Sequence, residues 1–306
     1  MINRILILGG GISRERLISL ETAKSVYNSL RKKNYKVSIC EPDINLSKTI
    51  INFKPDVVFN ALHGQFGEDG YVQAILESLK VKYTHSGVLA SAIAMDKEMS
   101  KKIYIKNNIL TPKYIKFNFN NKITGKKLIK IVKKKLKFPV VIKPINEGSS
   151  VNVYICNQKN FLKKLKKLIF YKEILIEEFI PGREIQVAIL GKRKLGAIEL
   201  KPKRKFYDYE AKYNVKAKTK HIIPVDLSNK NYIKITNIAL KAHKLIGCRG
   251  VTRSDFKFYK KKFYLLETNT QPGMTNLSLV PEIANHEGIK FIDLIEWILK
   301  DASTNR

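Results

Sequence analysis

The sequence of 306 residues contains few of the residues that build disulfide frameworks or zinc sites. Its three cysteines, Cys40, Cys156 and Cys248, are far apart and form no CxxC pair. We therefore expect neither a disulfide framework nor a cysteine-based zinc site, and we predict that the thiols are small buried groups. Long hydrophobic runs are also missing, since no stretch approaches the roughly 18 to 20 apolar residues of a membrane span. The start of the chain shows no signal-peptide pattern, so we expect a cytoplasmic protein without membrane contact.

Acidic residues are scarce as well. The sequence has 26 Asp and Glu against 58 Lys and Arg, which gives a formal net charge of +32. The lysines form short runs, such as those in 133–137 and 163–167, without the interleaved aromatic residues of a single-strand-binding platform. A compositional bias towards Lys, Ile and Asn produces the same charge, and we favour this interpretation over a specific nucleic-acid partner. A basic nucleic-acid-binding protein is the rival hypothesis from a different functional class.

The chain opens on an apolar strand, Arg4–Leu8, which runs into three glycines and then into an amphipathic helix that reaches about Arg31. The glycines suggest a dinucleotide-binding fingerprint, but Arg14 occupies the third glycine position and nothing else completes the pattern. The turn instead presents Glu15 at the start of the helix. A carboxylate there either caps the helix or binds a substrate cation, and from these residues alone we favour capping.

Two further strands, Lys36–Cys40 and Val57–Asn60, alternate with helical segments and predict a small, doubly wound parallel sheet. The last of these strands is followed directly by His63 and Glu68 among three glycines. Open α/β sheets place ligands at this point, so His63 is a candidate binding residue. The alternative is a loop histidine that only makes structural hydrogen bonds.

A second domain is expected to begin near Lys97, which is either a phosphate contact or an ordinary exposed lysine. An amphipathic helix over 125–136 is followed by a strand over 138–144 that delivers Lys143. The Glu-Gly-Ser-Ser-Val loop at 147–151 lets backbone amides approach a phosphate, to which the lysine adds a positive charge. No Walker A motif is present, which excludes a P-loop nucleotidase.

A candidate nucleotide slot follows. The strand over 174–180 carries two acidic residues near its end, and a Pro-Gly turn leads to Glu184 and a further strand over 185–190. An apolar slot with backbone polar groups and nearby carboxylates suits an adenine and its ribose. Further along, the aromatic and charged segment 206–213 is flanked by turn residues and is typical of a loop that closes over a site.

The strongest metal signal lies in the apolar run that ends in Glu267 and Asn269. Side chains two residues apart on a strand share a face, so these two oxygen ligands point the same way. A neighbouring strand that contains Asp255 is joined to this run by a short turn, which predicts that Asp255 lies across the ladder from Glu267. An oxygen-only set without histidine suits Mg²⁺. The alternative is a solvated sheet edge with scattered acidic residues.

Five motifs together resemble the D-alanine–D-alanine ligases of the ATP-grasp superfamily. They occur in that family's order and cover nearly the whole chain. The motifs are Gly9-Gly10 with Ser13-Arg14-Glu15-Arg16, Ala61-Leu62-His63-Gly64 with Gly67-Glu68-Asp69-Gly70, Lys143-Pro144 with Glu147-Gly148-Ser149-Ser150, Tyr207-Asp208-Tyr209-Glu210-Ala211-Lys212-Tyr213, and Glu267-Thr268-Asn269-Thr270-Gln271-Pro272-Gly273-Met274-Thr275.

The resemblance implies an ATP-grasp fold of mixed α/β and α+β class, with an N-terminal doubly wound parallel-sheet domain and three domains in all. The expected domains are 1–96, which binds substrate, 97–180, the central ATP-grasp domain, and 181–306, the C-terminal ATP-grasp and catalytic domain. The implied activity is ATP-dependent ligation of two D-alanines through an acyl phosphate for peptidoglycan synthesis, with two Mg²⁺ (or Mn²⁺) and a homodimeric assembly. The alternative is D-alanine–D-lactate formation or another ATP-grasp carboxylate–amine ligation.

The resemblance also implies a role for each site residue. The ATP phosphates would be bound by Lys97 and Lys143 beneath a loop that contains Glu147 and Ser150. The adenine and ribose would be bound by Glu177, Glu178, Phe179, Ile180 and Glu184. The metals would be held by Asp255, Glu267 and Asn269. The first D-alanine would be bound by Glu15 with help from His63, and the second by Ser278, Leu279 and Lys212.

Two further expectations concern the reacting centre. The attack of an amine on an acyl phosphate creates an oxyanion, and Arg253 and the backbone amide of Gly273 are placed to stabilise it. By the resemblance, Glu15, Ser149 and Tyr213 form a hydrogen-bonded triad that ties the closing loop to the site. A tyrosine at the position of Tyr213 goes with dipeptide formation in this family, whereas depsipeptide-forming relatives tend to carry phenylalanine.

Overall fold

The computed structural model describes residues 2–121, 123–148, 150–201, 219–275 and 278–305. The N-terminal part contains three strands and four helices up to residue 95. These are β1 (Arg4–Leu8), α1 (Arg16–Arg31), β2 (Lys36–Cys40), α2 (Leu46–Phe53), β3 (Val57–Asn60), α3 (Tyr71–Ser78) and α4 (Val88–Met95).

The first sheet is parallel, as the sequence predicts, and β1 lies in the middle of the order β2-β1-β3. Its central strand is apolar because it is covered on both sides, and four of its five residues are buried. Gly9 ends this strand where α1 crosses it, and a Cβ added there would lie 2.4 Å from the Cβ of Ala23. The glycine therefore permits the close helix-to-sheet contact that fixes the start of α1.

The central part contains a four-stranded antiparallel sheet in the order β4-β7-β5-β6. Helix α6 packs its apolar stripe on this sheet through Leu128 and Val132, while the lysines at the end of the helix are exposed. The elements are α5 (Lys97–Lys106), β4 (Tyr114–Asn118), α6 (Gly125–Lys135), β5 (Val140–Pro144), β6 (Tyr154–Cys156), α7 (Phe161–Lys166) and β7 (Glu173–Glu178).

The C-terminal part contains a five-stranded antiparallel sheet in the order β10-β9-β8-β11-β12. The hairpin between β11 and β12 turns at Lys260 and Lys261, which both have positive φ, as a two-residue turn of the primed type requires. The elements are β8 (Arg183–Leu190), β9 (Arg193–Lys201), β10 (Lys220–Ile222), α8 (Asn229–Ile246), β11 (Val251–Tyr259), β12 (Lys262–Asn269), α9 (Leu279–His286) and α10 (Phe291–Asp301).

One hydrophobic core joins the first sheet to the last. It combines Ile5 and Val57 from the N-terminal sheet with Ala188 and Ile198 from the C-terminal sheet, and α1, α9 and α10 contribute further residues. The central sheet has a separate core. Each of the three expected domains thus holds one sheet, but the first and third are packed together. Within the described part of the chain, every helix is too short or too polar to span a bilayer.

Candidate active site

Two cavities meet between the three sheets. The N-terminal cavity is bordered by Glu15, His63, Arg253, Gly273 and Ser278. The intersheet cavity lies between the central and C-terminal sheets and is bordered by Lys143, Glu178, Glu184 and Asp255. Lys97, Glu147 and Glu267 border both cavities. The two cavities therefore open onto each other at the end of β12.

Glu15 does not cap α1, although it occupies the N-cap position. Its side chain makes no capping hydrogen bond, and it lies almost buried in the wall of the N-terminal cavity. The capping interpretation is therefore wrong. The helix starts where β1 ends, so the fold aims this carboxylate at the ligand side of the sheet.

His63 is fixed by hydrogen bonds on both ring nitrogens. Its Nδ1 lies 3.1 Å from Oε1 of Glu68, and its Nε2 lies 3.0 Å from Oγ1 of Thr22. The ring is 5% exposed and borders the N-terminal cavity. His63 is thus both a hydrogen-bonded loop histidine and a cavity residue, which combines the two interpretations that the sequence allows.

The loop after β5 reaches the start of α1. A Cβ added to Gly148 would lie 2.5 Å from Oε2 of Glu15, so any larger residue there requires the loop or the Glu15 carboxylate to move. The adjacent Glu147 accepts hydrogen bonds from Lys97 on its carbonyl oxygen, at 2.6 Å, and from the Tyr171 hydroxyl on its carboxylate, at 2.7 Å. These contacts hold the loop over the junction of the two cavities.

The predicted oxygen cluster is confirmed in its register. Asp255 lies directly opposite Glu267 in the β11–β12 ladder, and Asn269 lies opposite Arg253. These residues share one face of the sheet. Both oxygens of Asp255 accept hydrogen bonds from Arg253, at 2.8 and 3.1 Å, and Oε2 of Glu267 lies 3.5 Å from Nζ of Lys97.

The donor set at this face fits a hard divalent cation. Two carboxylates and one amide side chain share this face of the ladder without a thiol or an imidazole opposite them, which is the ligand type that Mg²⁺ prefers. Arg253 and Lys97 place positive charge beside the two carboxylates. The carboxylates are therefore already charge-balanced before any cation binds.

A buried ion-pair group underlies the intersheet cavity. Glu177 lies between two lysines, with Oε1 at 3.1 Å from Nζ of Lys101 and Oε2 at 2.8 Å from Nζ of Lys143. Burial lowers the pKa of Lys101 to about 8, against the opposing pull of Glu177. Burial also acts to raise the pKa of Glu177, but the attraction of the two lysines outweighs it and leaves that pKa below its ordinary value. The group carries one excess positive charge when both lysines are protonated.

The remaining predicted residues of the intersheet cavity follow β7 and begin β8. Glu178, Phe179 and Ile180 border the cavity where β7 ends. Ser150, in the loop after β5, borders the same cavity. Glu184 is almost buried and accepts a hydrogen bond from Nζ of Lys257 at 2.8 Å. This wall combines backbone polar groups and apolar side chains, which suit a planar heterocycle, with a carboxylate, which suits the hydroxyl groups of an attached sugar.

The far wall of the N-terminal cavity lies just before and at the start of α9. Gly273, Ser278 and Leu279 all border the cavity. The backbone amide of Thr275 donates to Oγ of Ser278 at 2.9 Å, and a Cβ added to Gly273 would approach that same oxygen to 2.9 Å. The glycine thus leaves its own backbone accessible from the cavity.

The structure brings most of the predicted residues to the two cavities. Ser149, Lys212 and Tyr213 lie outside the described residues. Sequence reasoning missed three residues near the site, namely Lys101, Gln186 and Lys257. Strand alternation could have found two of them, because Gln186 is two residues beyond Glu184 and Lys257 two residues beyond Asp255. Lys101 is one helical turn beyond Lys97.

Comparison with known proteins gives a consistent set of relatives. The family model described as D-ala D-ala ligase C-terminus matches residues 103–300, and the model described as D-ala D-ala ligase N-terminus matches residues 41–86. A D-alanine–D-alanine ligase of Pelagibacter ubique is 73% identical, with 100% of each chain covered. One from Wolbachia pipientis is 43% identical over 99% of this chain and 95% of its own.

A solved structure extends the likeness to three dimensions. The D-alanine–D-alanine ligase from Bacillus anthracis, in a crystal structure complexed with ATP, superposes with a TM-score of 0.83 at 29% sequence identity. The match covers 98% of this chain and 97% of that one. The similarity therefore includes all three sheets.

Proposed function

The chain belongs to the D-alanine–D-alanine ligase family, and from that membership we infer that it joins two D-alanine molecules at the expense of ATP. The fold is the expected ATP-grasp fold, with a parallel N-terminal sheet and two antiparallel sheets that enclose the intersheet cavity. The product is the dipeptide of peptidoglycan precursors. The observation that carries the site assignment is the Asp255–Glu267 pair at the junction of the two cavities.

The intersheet cavity is proposed as the ATP site. The backbone of Glu178–Ile180 and the carboxylate of Glu177 would bind the adenine, and Glu184 would bind the ribose hydroxyls. Lys97 and Lys143 would contact the phosphates, with Glu147 and Ser150 in the loop above them. The excess positive charge of the Lys101–Glu177–Lys143 group favours an anionic ligand in this cavity.

Asp255, Glu267 and Asn269 are proposed to hold two Mg²⁺ (or Mn²⁺). When bound, these ions would neutralise the phosphoryl group that is transferred from ATP. Glu267 borders both cavities, so its carboxylate would be available to a cation from either side. Lys97 and Arg253 would then be released from the carboxylates that they pair with and could turn towards the substrates.

The N-terminal cavity is proposed to bind both D-alanines. Glu15 would pair with the ammonium group of the first, with His63 beside it, while Gly148 closes over that end. Ser278 and Leu279 would bind the second. By family resemblance, Lys212 contributes to this pocket, and Ser149 and Tyr213 complete the triad with Glu15.

The chemistry then proceeds in two steps. A carboxylate oxygen of the first D-alanine attacks the γ-phosphorus of ATP, the bond to the β-phosphate oxygen breaks, and ADP leaves. The neutral amine of the second D-alanine attacks the resulting acyl phosphate, inorganic phosphate leaves, and the amine loses one proton. Arg253 and the amide of Gly273 would donate hydrogen bonds to the oxyanion that forms between these events.

The assembly and location are further proposals. The large apolar side chains of Ile44, Tyr71 and Leu89 are exposed on the N-terminal part of the chain, which supports a homodimer that buries them. Because the reaction consumes ATP, we place it in the cytoplasm.

A phosphate-release assay tests this function against its rivals. The expected result is ATP-dependent phosphate release that requires D-alanine alone and yields D-alanyl-D-alanine in equal amount. Release that requires added D-lactate would indicate a depsipeptide ligase. Release that requires added RNA, with no dependence on D-alanine, would favour the nucleic-acid-binding hypothesis.

A further inference from the structure

Gln186 carries a buried amide to which the proposed function assigns no role. Its side chain is 0% exposed, and neither its amide nitrogen nor its amide oxygen has a hydrogen-bond partner among the described residues. A buried primary amide in this state is costly, and natural proteins rarely retain one without a use. The same residue borders the N-terminal cavity.

The position of Gln186 restricts what its amide can reach. Gln186 lies in the middle of β8, opposite Asp255 on one neighbouring strand and opposite Ile198 on the other. Directly opposed side chains lie about 5 Å apart on the same face. Because Ile198 belongs to the apolar core, the polar neighbour of the amide in the sheet is Asp255.

Asp255 is paired with Arg253 in the structure. Both of its carboxylate oxygens accept hydrogen bonds from Arg253, and the carboxylate is nearly buried. The proposed function needs Arg253 at the oxyanion and Asp255 at a metal. When Arg253 turns to the oxyanion, the nearly buried carboxylate loses two hydrogen-bond donors, which is costly unless another donor replaces them.

We propose that Gln186 is the reserve hydrogen-bond partner of Asp255. Its amide nitrogen donates to the carboxylate when Arg253 turns to the reacting centre, and this holds Asp255 in the orientation that binds the cation. Gln186 is thus a positioning residue, and it acts through Asp255 rather than on the substrates. The inference rests on the proposed roles of Arg253 and Asp255.

A double-mutant cycle on the ligand-free protein tests the partnership. The variants are Gln186→Met, Arg253→Ala and the double variant, and the readout is the midpoint of thermal unfolding. In wild type, Gln186→Met should leave the midpoint unchanged or raise it, because methionine fills the volume and removes an unpaired amide. The midpoint of the double variant should lie at least ~2 °C below the value expected from adding the two single effects.

Arg253→Lys provides a second background in case the alanine variant does not fold. In this variant a single ammonium group replaces the guanidinium group that binds both oxygens of Asp255. Gln73→Met is the matched control. Gln73 is also a buried glutamine, but its amide nitrogen donates to the carbonyl of Gly67 at 2.7 Å. The control change should lower the midpoint by itself and should be additive with the arginine variants.

A second measurement separates positioning from packing. Mn²⁺ binding to the ATP complex, followed by electron paramagnetic resonance, should weaken at least about tenfold in Gln186→Met. Additive stabilities together with unchanged Mn²⁺ affinity would overturn the inference. So would a clear loss of stability from Gln186→Met in wild type, because it would show that the amide already has a partner. The cycle uses ligand-free protein, so its outcome does not depend on whether the chain ligates D-alanine.

Discussion

The guanidinium group of Arg253 binds both carboxylate oxygens of Asp255, at 2.8 and 3.1 Å, from a position two residues earlier on the same strand. In the proposed reaction these residues have different tasks, since one stabilises an oxyanion and the other holds a metal. In the ligand-free site these two charged groups therefore form a neutral pair. The arrival of substrates and cations must rearrange this pair before the chemistry starts.

Glu267→Gln should abolish turnover and leave the fold intact. The change keeps the volume but removes the charge of the residue that would bridge both cations, and Glu267 is only partly buried and lies at the cavity junction. Phosphate release at saturating Mg²⁺ and the circular dichroism spectrum provide the check. Glu173→Gln, which alters a surface pair with Lys116, is the control and should retain full activity. Near-normal ligation by the Glu267 variant would remove it from the metal site.

Arg253→Ala should lower kcat by roughly a hundredfold or more, which is the usual effect of losing an oxyanion donor. ATP affinity, measured by calorimetry in the presence of Mg²⁺, should change little because Arg253 borders the N-terminal cavity. Arg253→Lys should recover only part of the rate, since a single ammonium does not reproduce a planar fork. A collapse of ATP binding would instead place Arg253 in the nucleotide site.

Gly148→Ala should impair catalysis without destabilising the protein. The added methyl would approach Oε2 of Glu15 to 2.5 Å, so either the loop or the carboxylate must move. A displacement of this size at a reacting centre costs about tenfold to a hundredfold in rate, and we expect the KM for D-alanine to rise. Gly125→Ala is the comparison, because its methyl would contact only the flexible side chain of Leu162. Wild-type kinetics in Gly148→Ala would show that the loop does not close on Glu15.

His243 should make the protein acid-sensitive at a site remote from catalysis. Burial lowers the pKa of His243 from 6.5 to about 4, with Lys244 adding to the effect, and Nδ1 lies 2.8 Å from Oγ1 of Thr252. Between these two values the unfolded chain binds a proton that the folded chain does not, so stability falls as the pH is lowered from about 6.5 towards 4.

The loss from this histidine should reach ~1 kcal/mol between pH 7.5 and 5.5. Urea unfolding of wild type and of His243→Gln at both pH values measures it, and the variant should lose less stability on acidification. Equal losses in the two proteins would assign the acid sensitivity to other groups.

The sequence predicts well those features that depend on local periodicity. The parallel sheet around Arg4–Leu8 follows from apolar runs that alternate with helices, and the opposition of Asp255 and Glu267 follows from a short hairpin turn. The role of Glu15 is different. The residue occupies a capping position, but the packing of three sheets decides that its side chain faces a cavity.

Buried polar groups are the features that are hardest to predict from the sequence. Lys101 is one lysine among many in a strongly basic chain, and its burial depends on the tertiary contact that brings α5 to Glu177 of β7. The lysine runs themselves are mostly exposed. What separates the two kinds of lysine is tertiary contact, which composition does not record.

In the proposed reaction, this chain activates the carboxylate of D-alanine as an acyl phosphate before ligation. The most direct test supplies D-alanine labelled with ¹⁸O in its carboxylate, together with ATP and Mg²⁺, and analyses the products by mass spectrometry. The predicted result is one ¹⁸O atom in each inorganic phosphate released, with D-alanyl-D-alanine and ADP formed in equal amounts. Unlabelled phosphate, or ADP formed without dipeptide, would contradict the account.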